Sequence, residues 1–599
     1  MLKKRKNIKS INLGRLPTWN LNDIYKGINS QKINKDLLKI KKLSKNFEKE
    51  YEGKVKELDP NKLLKAITKI EIIDEMICKI LSYAHLLFAE DMQNEKNKIF
   101  FQTIKEKVTK YHSSTIFFNL ELNLIEEKKM NRYLNSIKLK KYKNWISNSR
   151  MFKKHQLSKD LEKILQDKNI TSSLAWIRLF DEMMASMRFP FEGKNLLSTE
   201  IFNYLSDSNS QKRKNAAQSI SLTLKNNINI FTSISNNLAK DKSINDDWRN
   251  FNNSVSSRNL SNLVEDEVID SLSKSVKNYY PKLSHRYYYL KAKWLNKKQL
   301  SYWDRNAPLP FYLNKTYSWK EAKEIVIESY GSFSNEMSKI VEIFFEKSWI
   351  DAPVRRGKQS GAFSASTVPS VHPYILVNYQ GKFRDVSTLA HELGHGIHQY
   401  LAAEQGHFNS STPLTLAETA SVFGEMLTFR NLLSKEKDPV NRKAIIANKV
   451  EDMLNTVVRQ IAFFEFEKEL HTRRKLSELT TDNICQIWMK VQSESLGPSI
   501  KLQNEYKYYW AYIPHFIHTP FYVYAYAFGD CLVNTLYSKY EKSPKNFEVN
   551  YMNLLRAGGS KNYKDLLKPF KLNPSNKLFW KFGLEVINKL ITELEELES

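Results

Sequence analysis

Histidines cluster in one part of this 599-residue chain, since eight of the twelve lie between residues 372 and 518. Within that region, the segment 391–395 reads H-E-L-G-H. On a helix, side chains four residues apart project within about 40° of each other, so His391 and His395 can bind one metal ion. Glu392 projects about 100° from His391, too far for a natural ligand but close enough to take a proton from water at that metal. The pattern predicts zinc-dependent hydrolysis.

A catalytic zinc ion usually takes three protein ligands, so a third must come from another part of the chain. A metzincin would place a histidine at position 401, where this chain has Leu401. Glu404 follows His395 by nine residues and therefore lies about 180° away on the same helix. The remaining candidates are Glu418 and Glu425. Glu418 follows His395 by 23 residues, which leaves room for a turn and a second helix.

The segment 415–425 has two interpretations, one as a source of a metal ligand and one as the start of a helix. Thr415 and Glu418 have the spacing of a capping box, in which Glu418 would cap a helix instead of binding a metal. The neighbouring H-E-x-x-H motif favours Glu418 as a ligand. Ser421 and Glu425 would then lie on the same helical face, and either could orient a zinc-binding imidazole.

The elements that must position these residues are mostly helical. Only 17 Gly and 17 Pro occur in the chain, which favours long helices over an all-β fold. The motif is predicted to lie on a helix that runs to about residue 403, with Asp385 as its N-cap. The apolar run at 374–378 predicts one of the few strands. Apolar residues at three- and four-residue steps predict helices over 30–145, where His85 and His112 are expected to be structural.

The pattern along the chain divides it into three expected regions. Residues 1–20 are predicted to be an irregular leader, residues 21–200 an N-terminal helical region, and residues 201–599 the catalytic region with the zinc motif. A segment rich in Asn, Ser and Asp at 245–262 is predicted to be a loop. No run approaches 18 uncharged apolar residues, so no membrane helix is expected.

The net charge of +28 has two interpretations. Lysines are spread over most of the predicted helices, which is typical of a solvated surface. A nucleic-acid-binding protein would show a basic stripe or a known module, and the sequence shows neither, so no nucleic-acid partner is expected. Three widely separated cysteines, Cys78, Cys485 and Cys531, argue against a disulfide framework and for a reducing compartment. We therefore expect a cytoplasmic protein.

The motifs together resemble a known family. The run H-E-L-G-H-G-I-H at 391–398, followed by L-A-E-T-A-S at 416–421, resembles the oligoendopeptidase F family of the thimet oligopeptidase and neurolysin superfamily. Residues 146–190 resemble the N-terminal helical segment of that family. The resemblance extends to further segments: W-I-D-A-P-V-R at 349–355, G-A-F at 361–363, P-Y-I-L at 373–376, I-P-H-F at 513–516 and P-F-Y-V-Y at 520–524.

This resemblance implies a mainly α fold: an elongated multi-helix metallopeptidase with a deep substrate channel and a small β-sheet near the H-E-x-x-H helix. It assigns His391, His395 and Glu418 as ligands of one Zn²⁺ ion and Glu392 as the catalytic residue. It also implies that oligopeptides are the substrates and that the strand at 373–378 is an edge strand, which pairs with the substrate backbone.

Oxyanion stabilisation is where the chain departs from the family. In the thimet branch, a Gly-rich loop carries a His and Tyr pair that steadies the oxyanion. Here the loop is shorter and reads H-F-I-H-T-P at 515–520. His515 and Tyr524 are the best equivalents, with Tyr522 as a further candidate. The alternative is that these aromatic residues only pack the channel wall.

The sequence therefore predicts a zinc-dependent oligoendopeptidase that hydrolyses internal bonds of short peptides. Two other classes compete with this function. The first is a basic nucleic-acid-binding protein with a vestigial metal site, which only the charge supports. The second is a helical scaffold stabilised by a closed four-ligand zinc site.

Overall fold

The computed structural model describes residues 12–311 and 315–598 and is mainly helical, which confirms the predicted fold class. Short 3-10 turns link many of the helices. In chain order, the helices are α1 (Gln31–Tyr51), α2 (Pro60–Glu90), α3 (Glu95–Ser113), α4 (Phe117–Leu124), α5 (Glu127–Leu134), α6 (Lys143–Ser149), α7 (Lys159–Lys168), α8 (Ser173–Ser186), α9 (Ser198–Ile201), α10 (Ser210–Asn226), α11 (Ile228–Trp248), α12 (Ser256–Ser261), α13 (Asp266–Tyr279), α14 (Ser284–Trp294), α15 (Trp319–Gly331), α16 (Asn335–Glu346), α17 (Phe383–Ala402), α18 (His407–Ser410), α19 (Leu414–Ala417), α20 (Thr419–Lys435), α21 (Pro439–Thr456), α22 (Val458–Leu476), α23 (Thr481–Leu496), α24 (His515–His518), α25 (Tyr524–Lys542), α26 (Phe547–Ala557), α27 (Tyr563–Leu567) and α28 (Lys577–Glu596).

Within the described part of the chain, seven short strands form three small sheets. The strands are β1 (Phe189–Phe191), β2 (Lys194–Leu196), β3 (Leu300–Ser301), β4 (Ile350–Asp351), β5 (Phe363–Ala365), β6 (Tyr374–Leu376) and β7 (Ile500–Lys501). β1 pairs with β2 in an antiparallel hairpin, and β3 pairs with β7 in parallel. The third sheet has the order β4-β6-β5.

The chain forms two compact units, each built from three separate segments. The first unit contains residues 12–151, 315–435 and 542–571, and the second contains 152–311, 436–541 and 572–598. This division into two units does not coincide with the boundary that the sequence predicts at residue 200. The helix with the H-E-x-x-H motif belongs to the first unit, whereas His515 belongs to the second.

The N-terminal helical pattern of the sequence corresponds to real helices in the first unit. α2 begins where the Asp59 side chain accepts hydrogen bonds from the backbone N–H groups of Asn61 (2.8 Å) and Lys62 (3.1 Å), with Pro60 in the first turn. This is a favourable start for a helix, because the first N–H groups have no partner within the helix. The periodic apolar residues of α2 form its buried face: Leu63, Ile67, Ile70, Ile73, Ile77 and Ala84.

The three-stranded sheet corrects one prediction from the sequence. The segment 373–378 is not an edge strand, because β6 is the central strand of its sheet. β6 runs parallel to β4 on one side and antiparallel to β5 on the other, so both of its hydrogen-bonding edges are occupied. β5 is an outer strand of this sheet, and its three residues are half-buried. The sheet packs against α17 through β5 and β6.

Two other expectations concern irregular segments. Of the expected leader, residues 1–11 lie outside the described residues, and residues 12–20 are irregular. The loop expected at 245–262 is confined to 249–255, because α11 continues to Trp248 and α12 begins at Ser256. The Asn253 side chain accepts hydrogen bonds from the backbone N–H groups of Val255 (2.8 Å) and Ser256 (3.0 Å), so it forms the turn that leads into α12. Among the helices of the described residues, none combines the length and the apolar composition that a membrane span requires.

Candidate metal centre

α17 carries the H-E-x-x-H motif and begins at Phe383. Asp385 is not the N-cap that the sequence predicts, because Lys382 occupies that position. The Asp385 carboxylate instead accepts hydrogen bonds from the backbone N–H groups of Lys382 (3.0 Å) and Gln380 (2.8 Å). An acidic residue in the first turn satisfies donors that the helix leaves open and suits the positive end of its dipole.

α20 crosses α17 very closely at Gly394, inside the motif. A Cβ atom at this position would lie 2.4 Å from the carbonyl oxygen of Ala420 and 2.6 Å from Cα of Ser421. Only a residue without a side chain allows two backbones to approach this closely. Because α20 begins at Thr419, the crossing brings the preceding residue, Glu418, to the motif.

Three potential ligand atoms converge at the crossing of α17 and α20. Nε2 of His391 and Nε2 of His395 each lie 3.5 Å from the same oxygen, Oε2 of Glu418. Nitrogen and oxygen ligands of a tetrahedral zinc ion stand about 3.3–3.6 Å from each other, given bond lengths of about 2.0–2.2 Å. The three side chains are between 21% and 32% exposed, which leaves a path for a cation and for water.

The residues that follow Glu418 hold the ligands in place. Nδ1 of His391 lies 2.6 Å from Oε1 of Glu425, so this carboxylate fixes the ring from the side opposite Nε2. The Ser421 hydroxyl donates a hydrogen bond to Oε2 of Glu418 at 2.7 Å. Glu425 thus orients the imidazole of His391. Ser421 orients the Glu418 carboxylate, so the expectation that Ser421 could orient an imidazole is wrong. A backbone hydrogen bond at Ala417 steadies His395.

The backbone of Glu418 ends α19, but the structure does not support the capping box in which its side chain would cap a helix instead of binding a metal. In a capping box, the Thr415 hydroxyl would accept a hydrogen bond from the first turn of the helix. The Thr415 hydroxyl is buried and has no hydrogen-bond partner. The Glu418 carboxylate is directed at the two imidazoles.

Glu392 lies beside the ligands and is only 7% exposed. Burial raises its pKa to about 7. Although the nearby His391 lowers the pKa of Glu392, Glu418 and Glu425 raise it further. A carboxylate with a pKa near the working pH is well suited to accept a proton in one step and return it in the next.

The donor set fits a divalent cation. Burial lowers the pKa of His395 to about 4, which keeps its ring neutral and its lone pair available. Burial alone would also lower the pKa of His391. The hydrogen bond that Glu425 accepts and the charges of the neighbouring carboxylates together outweigh burial and raise that pKa to about 9. Three carboxylates lie close to the two imidazoles. A bound cation would balance the negative charge of these carboxylates.

Two protein-family models match this chain. The model of peptidase family M3 matches residues 203–582, and a second model, described as oligopeptidase F, matches residues 121–189. The chain belongs to peptidase family M3. It is a metalloendopeptidase that acts on peptides, as the sequence predicts. The matches give no support to the alternative of a nucleic-acid-binding protein.

Relatives of this family M3 peptidase match along nearly the full chain. It is 30% identical to an oligoendopeptidase F homolog of Borreliella burgdorferi, over 92% of both chains. It is 27% identical to oligopeptidase PepF of Bacillus subtilis, over 97% of this chain and 87% of the relative. A solved peptidase structure from Chlamydophila abortus matches with a TM-score of 0.87 at 24% identity, over 97% of this chain and 98% of the other. Oligoendopeptidase F from Enterococcus faecium matches with a TM-score of 0.71 at 22% identity, over 95% and 99%.

The aromatic candidates of this peptidase lie in its second unit, and the structure separates them. Tyr524 is fully buried, packs its ring on Phe464, and accepts a hydrogen bond from the Asn262 side chain at 2.8 Å. This burial corrects the expectation that Tyr524 donates to a substrate oxyanion, and the packing alternative describes it better. Tyr522 is half-buried, and its ring contacts Tyr526 edge-on at 5.3 Å.

Sequence reasoning missed Tyr526. Nε2 of His515 lies 3.3 Å from the Tyr526 hydroxyl, and the Tyr526 side chain is 37% exposed. Burial lowers the pKa of His515, so its ring is neutral at neutral pH. Helical periodicity could have identified Tyr526 from the sequence. α25 begins at Tyr524, and the side chain of Tyr526, two residues later, points about 200° away from that of Tyr524. The buried face of α25 includes Tyr524, Ala527 and Cys531, and Tyr526 lies outside it.

Proposed function

We propose that this metalloendopeptidase is a zinc-dependent oligoendopeptidase, which cuts internal bonds of short peptides at a site with one Zn²⁺ ion. His391, His395 and Glu418 would hold the ion. The observation that supports this most is the common 3.5 Å separation between the Glu418 oxygen and the two imidazole nitrogens on the H-E-x-x-H helix. The family and its relatives supply the oligopeptide substrate class.

Glu392 is proposed to move the proton during hydrolysis. A bound Zn²⁺ ion supplies a Lewis acid that acidifies water and polarises the scissile carbonyl. The Glu392 carboxylate accepts the proton of the attacking water and then donates it to the nitrogen of the leaving amine. Its low exposure and its pKa of about 7 suit both steps.

His391 must stay correctly oriented throughout the reaction, and Glu425 performs this task. The short contact between Glu425 and Nδ1 of His391 fixes the tautomer that leaves Nε2 free to bind a metal. Ser421 restrains the Glu418 carboxylate in the same way.

The oxyanion of the tetrahedral intermediate is proposed to receive a hydrogen bond from His515, Tyr522 or Tyr526. The resemblance to the family supports His515, and the contact between His515 and the Tyr526 hydroxyl supports Tyr526 as its partner. A well-placed donor of this kind contributes about 10²–10³-fold to kcat.

We propose β5 as the strand that pairs with the substrate backbone, in place of β6. β5 is an outer strand of its sheet, and a peptide can extend a sheet only at an outer strand. The Ser364 hydroxyl donates to the Gln399 side chain at 2.8 Å, which ties β5 to α17 one turn after His395. This link fixes the strand relative to the metal ligands.

The proposal is tested with a mixed pool of oligopeptides, incubated with and without a chelator and analysed by mass spectrometry. We expect internal cleavage that the chelator abolishes and that added Zn²⁺ restores. Glu392→Gln should keep the zinc content of the wild type and lose activity by several orders of magnitude, because an amide cannot accept the proton.

Glu404→Gln is the matched control for this substitution. Glu404 is exposed and lies beyond the motif, so this variant should keep both zinc and activity. Wild-type turnover by Glu392→Gln would remove Glu392 from the mechanism. Cleavage that persists in the chelator after complete metal removal would refute zinc dependence.

A further inference from the structure

A second group of ligand-type side chains converges in the first unit, and none of its members belongs to the H-E-x-x-H motif. Among residues 12–311 and 315–598, His, Cys, Asp and Glu ligand atoms meet within 4.8 Å in two groups of three. One is the centre described above, and the other consists of Asp74, Cys78 and His407. Nε2 of His407 lies 2.7 Å from Oδ2 of Asp74, and Sγ of Cys78 lies 3.9 Å from the same oxygen.

The backbone holds these three residues in place. Asp74 and Cys78 are four residues apart on α2 and therefore share one face of that helix. His407 is the first residue of α18, and its neighbour Phe408 is fixed from two sides. The Phe408 N–H donates to Glu71 of α2 at 3.1 Å, and the Phe408 ring stacks on Trp145 at 4.5 Å.

The group faces open space. A cavity of about 850 Å³ is lined by Asp74, Cys78 and His407, and also by His395 and Gln399 of α17. The Asp74 side chain is 30% exposed and that of His407 is 10% exposed. The cavity therefore gives a cation access to the group and gives room for a water molecule as a further ligand.

We propose that Asp74, Cys78 and His407 form a second metal site, which binds a thiophilic divalent cation of the zinc type. One sulfur, one nitrogen and one oxygen donor are a set that Zn²⁺ and Co²⁺ favour. The two contacts of 2.7 Å and 3.9 Å bracket the ligand separations of about 3.3–3.7 Å in a tetrahedral site, so small side-chain movements suffice.

Metal binding at this group must displace a proton. Burial raises the pKa of the Cys78 thiol to about 12, and the neighbouring Asp74 acts in the same direction. As the bond between the cation and sulfur forms, the S–H bond breaks and its proton passes to solvent. The bound cation would connect α2 to the segment 403–417, which leads from α17 to Glu418.

Cobalt distinguishes the two sites, because only the second contains sulfur. A cobalt ion bound to a thiolate shows a strong near-ultraviolet charge-transfer band, whereas cobalt bound to His391, His395 and Glu418 does not. We expect the wild-type chain to bind two Co²⁺ ions and to show this band. His391→Ala should bind one ion and keep the band, so failure of the catalytic site would not hide the second one.

Cys78→Ser is the decisive variant, and Cys485→Ser is its matched control. Cys78→Ser should bind one Co²⁺ ion and show no thiolate band. Cys485 is buried in the second unit and takes a hydrogen bond from Trp510, so Cys485→Ser should keep two ions and the band. One Co²⁺ ion per wild-type chain with no thiolate band, or a band that survives in Cys78→Ser, would overturn the proposal.

A second variant covers the case in which Cys78→Ser does not fold. His407→Gln retains the thiol and removes one ligand, so the affinity for the second Co²⁺ ion should fall at least tenfold. Thermal unfolding followed by circular dichroism checks that the variant is folded. An unchanged affinity in folded His407→Gln would equally reject the site.

Discussion

The close crossing of α17 and α20 makes Gly394→Ala an informative substitution. A Cβ atom added at Gly394 would lie 2.4 Å from the carbonyl oxygen of Ala420, whereas ordinary van der Waals contacts of a Cβ atom begin at 3.4 Å. The two helices must therefore separate by about 1 Å to admit one methyl group. Because Glu418 directly precedes α20, this separation moves it away from the two histidines.

The substitution should affect metal binding far more than folding. Overpacking costs about 1–3 kcal/mol, and the higher helix propensity of alanine offsets about 1 kcal/mol of that cost. The net loss in the free energy of unfolding is then about 0–2 kcal/mol. A metal site tolerates only about 0.2 Å of error in its ligand distances, so a shift of about 1 Å should weaken zinc binding at least 100-fold.

Zinc affinity is measured by competition with a chromophoric chelator, and stability by chemical denaturation of the metal-free protein. Gly331→Ala is the matched control, because a Cβ atom there would meet only the Ser338 side chain, at 3.4 Å. This control should keep the affinity and the activity of the wild type. If Gly394→Ala binds zinc as tightly as the wild type, the close approach does not position Glu418 and our account of the centre is wrong.

Three further predictions concern the ligands, the aromatic residues and the substrate. Glu418→Ala should lose most of its zinc in metal analysis, whereas Glu425→Ala should keep zinc and lose about 10–100-fold in activity; the reverse pattern would exchange their roles. Tyr526→Phe should lower kcat by about 10²–10³-fold. Tyr524→Phe should leave kcat near the wild-type value and cost about 1–3 kcal/mol in denaturation, because the Asn262 amide loses its buried partner; equal effects on kcat would refute the distinction between the two tyrosines. Short peptides should be cut while stably folded proteins stay intact on gels, and efficient internal cleavage of a folded protein would contradict an enclosed channel.

The sequence by itself was sufficient for the predictions that depend on local geometry. A helix repeats every 3.6 residues wherever it lies, so the spacing of His391 and His395 was sufficient to predict a shared metal. The same regularity predicts that Glu404 is not a ligand. The combination of motifs along the chain also determined the family, and periodic apolar residues predicted a mainly helical fold.

Geometry between elements was beyond the reach of local patterns. Glu418 and Glu425 share a helical face, and only the crossing at Gly394 shows that one is directed at the Nε2 atoms while the other holds Nδ1 of His391. Strand order is also a long-range property. The sequence predicts that β6 is a strand, but only the structure shows that it is the central strand of its sheet.

The tertiary structure also decided which polar and aromatic residues are accessible. The residue type alone does not distinguish Tyr524 from Tyr526, but Tyr524 is fully buried and Tyr526 is 37% exposed. Asp74 and His407 are 333 residues apart and meet only because α2 packs beside the segment that follows α17. Local chain geometry repeats along a sequence, whereas burial and long-range contacts depend on how all the elements pack together, and only the folded chain contains that information.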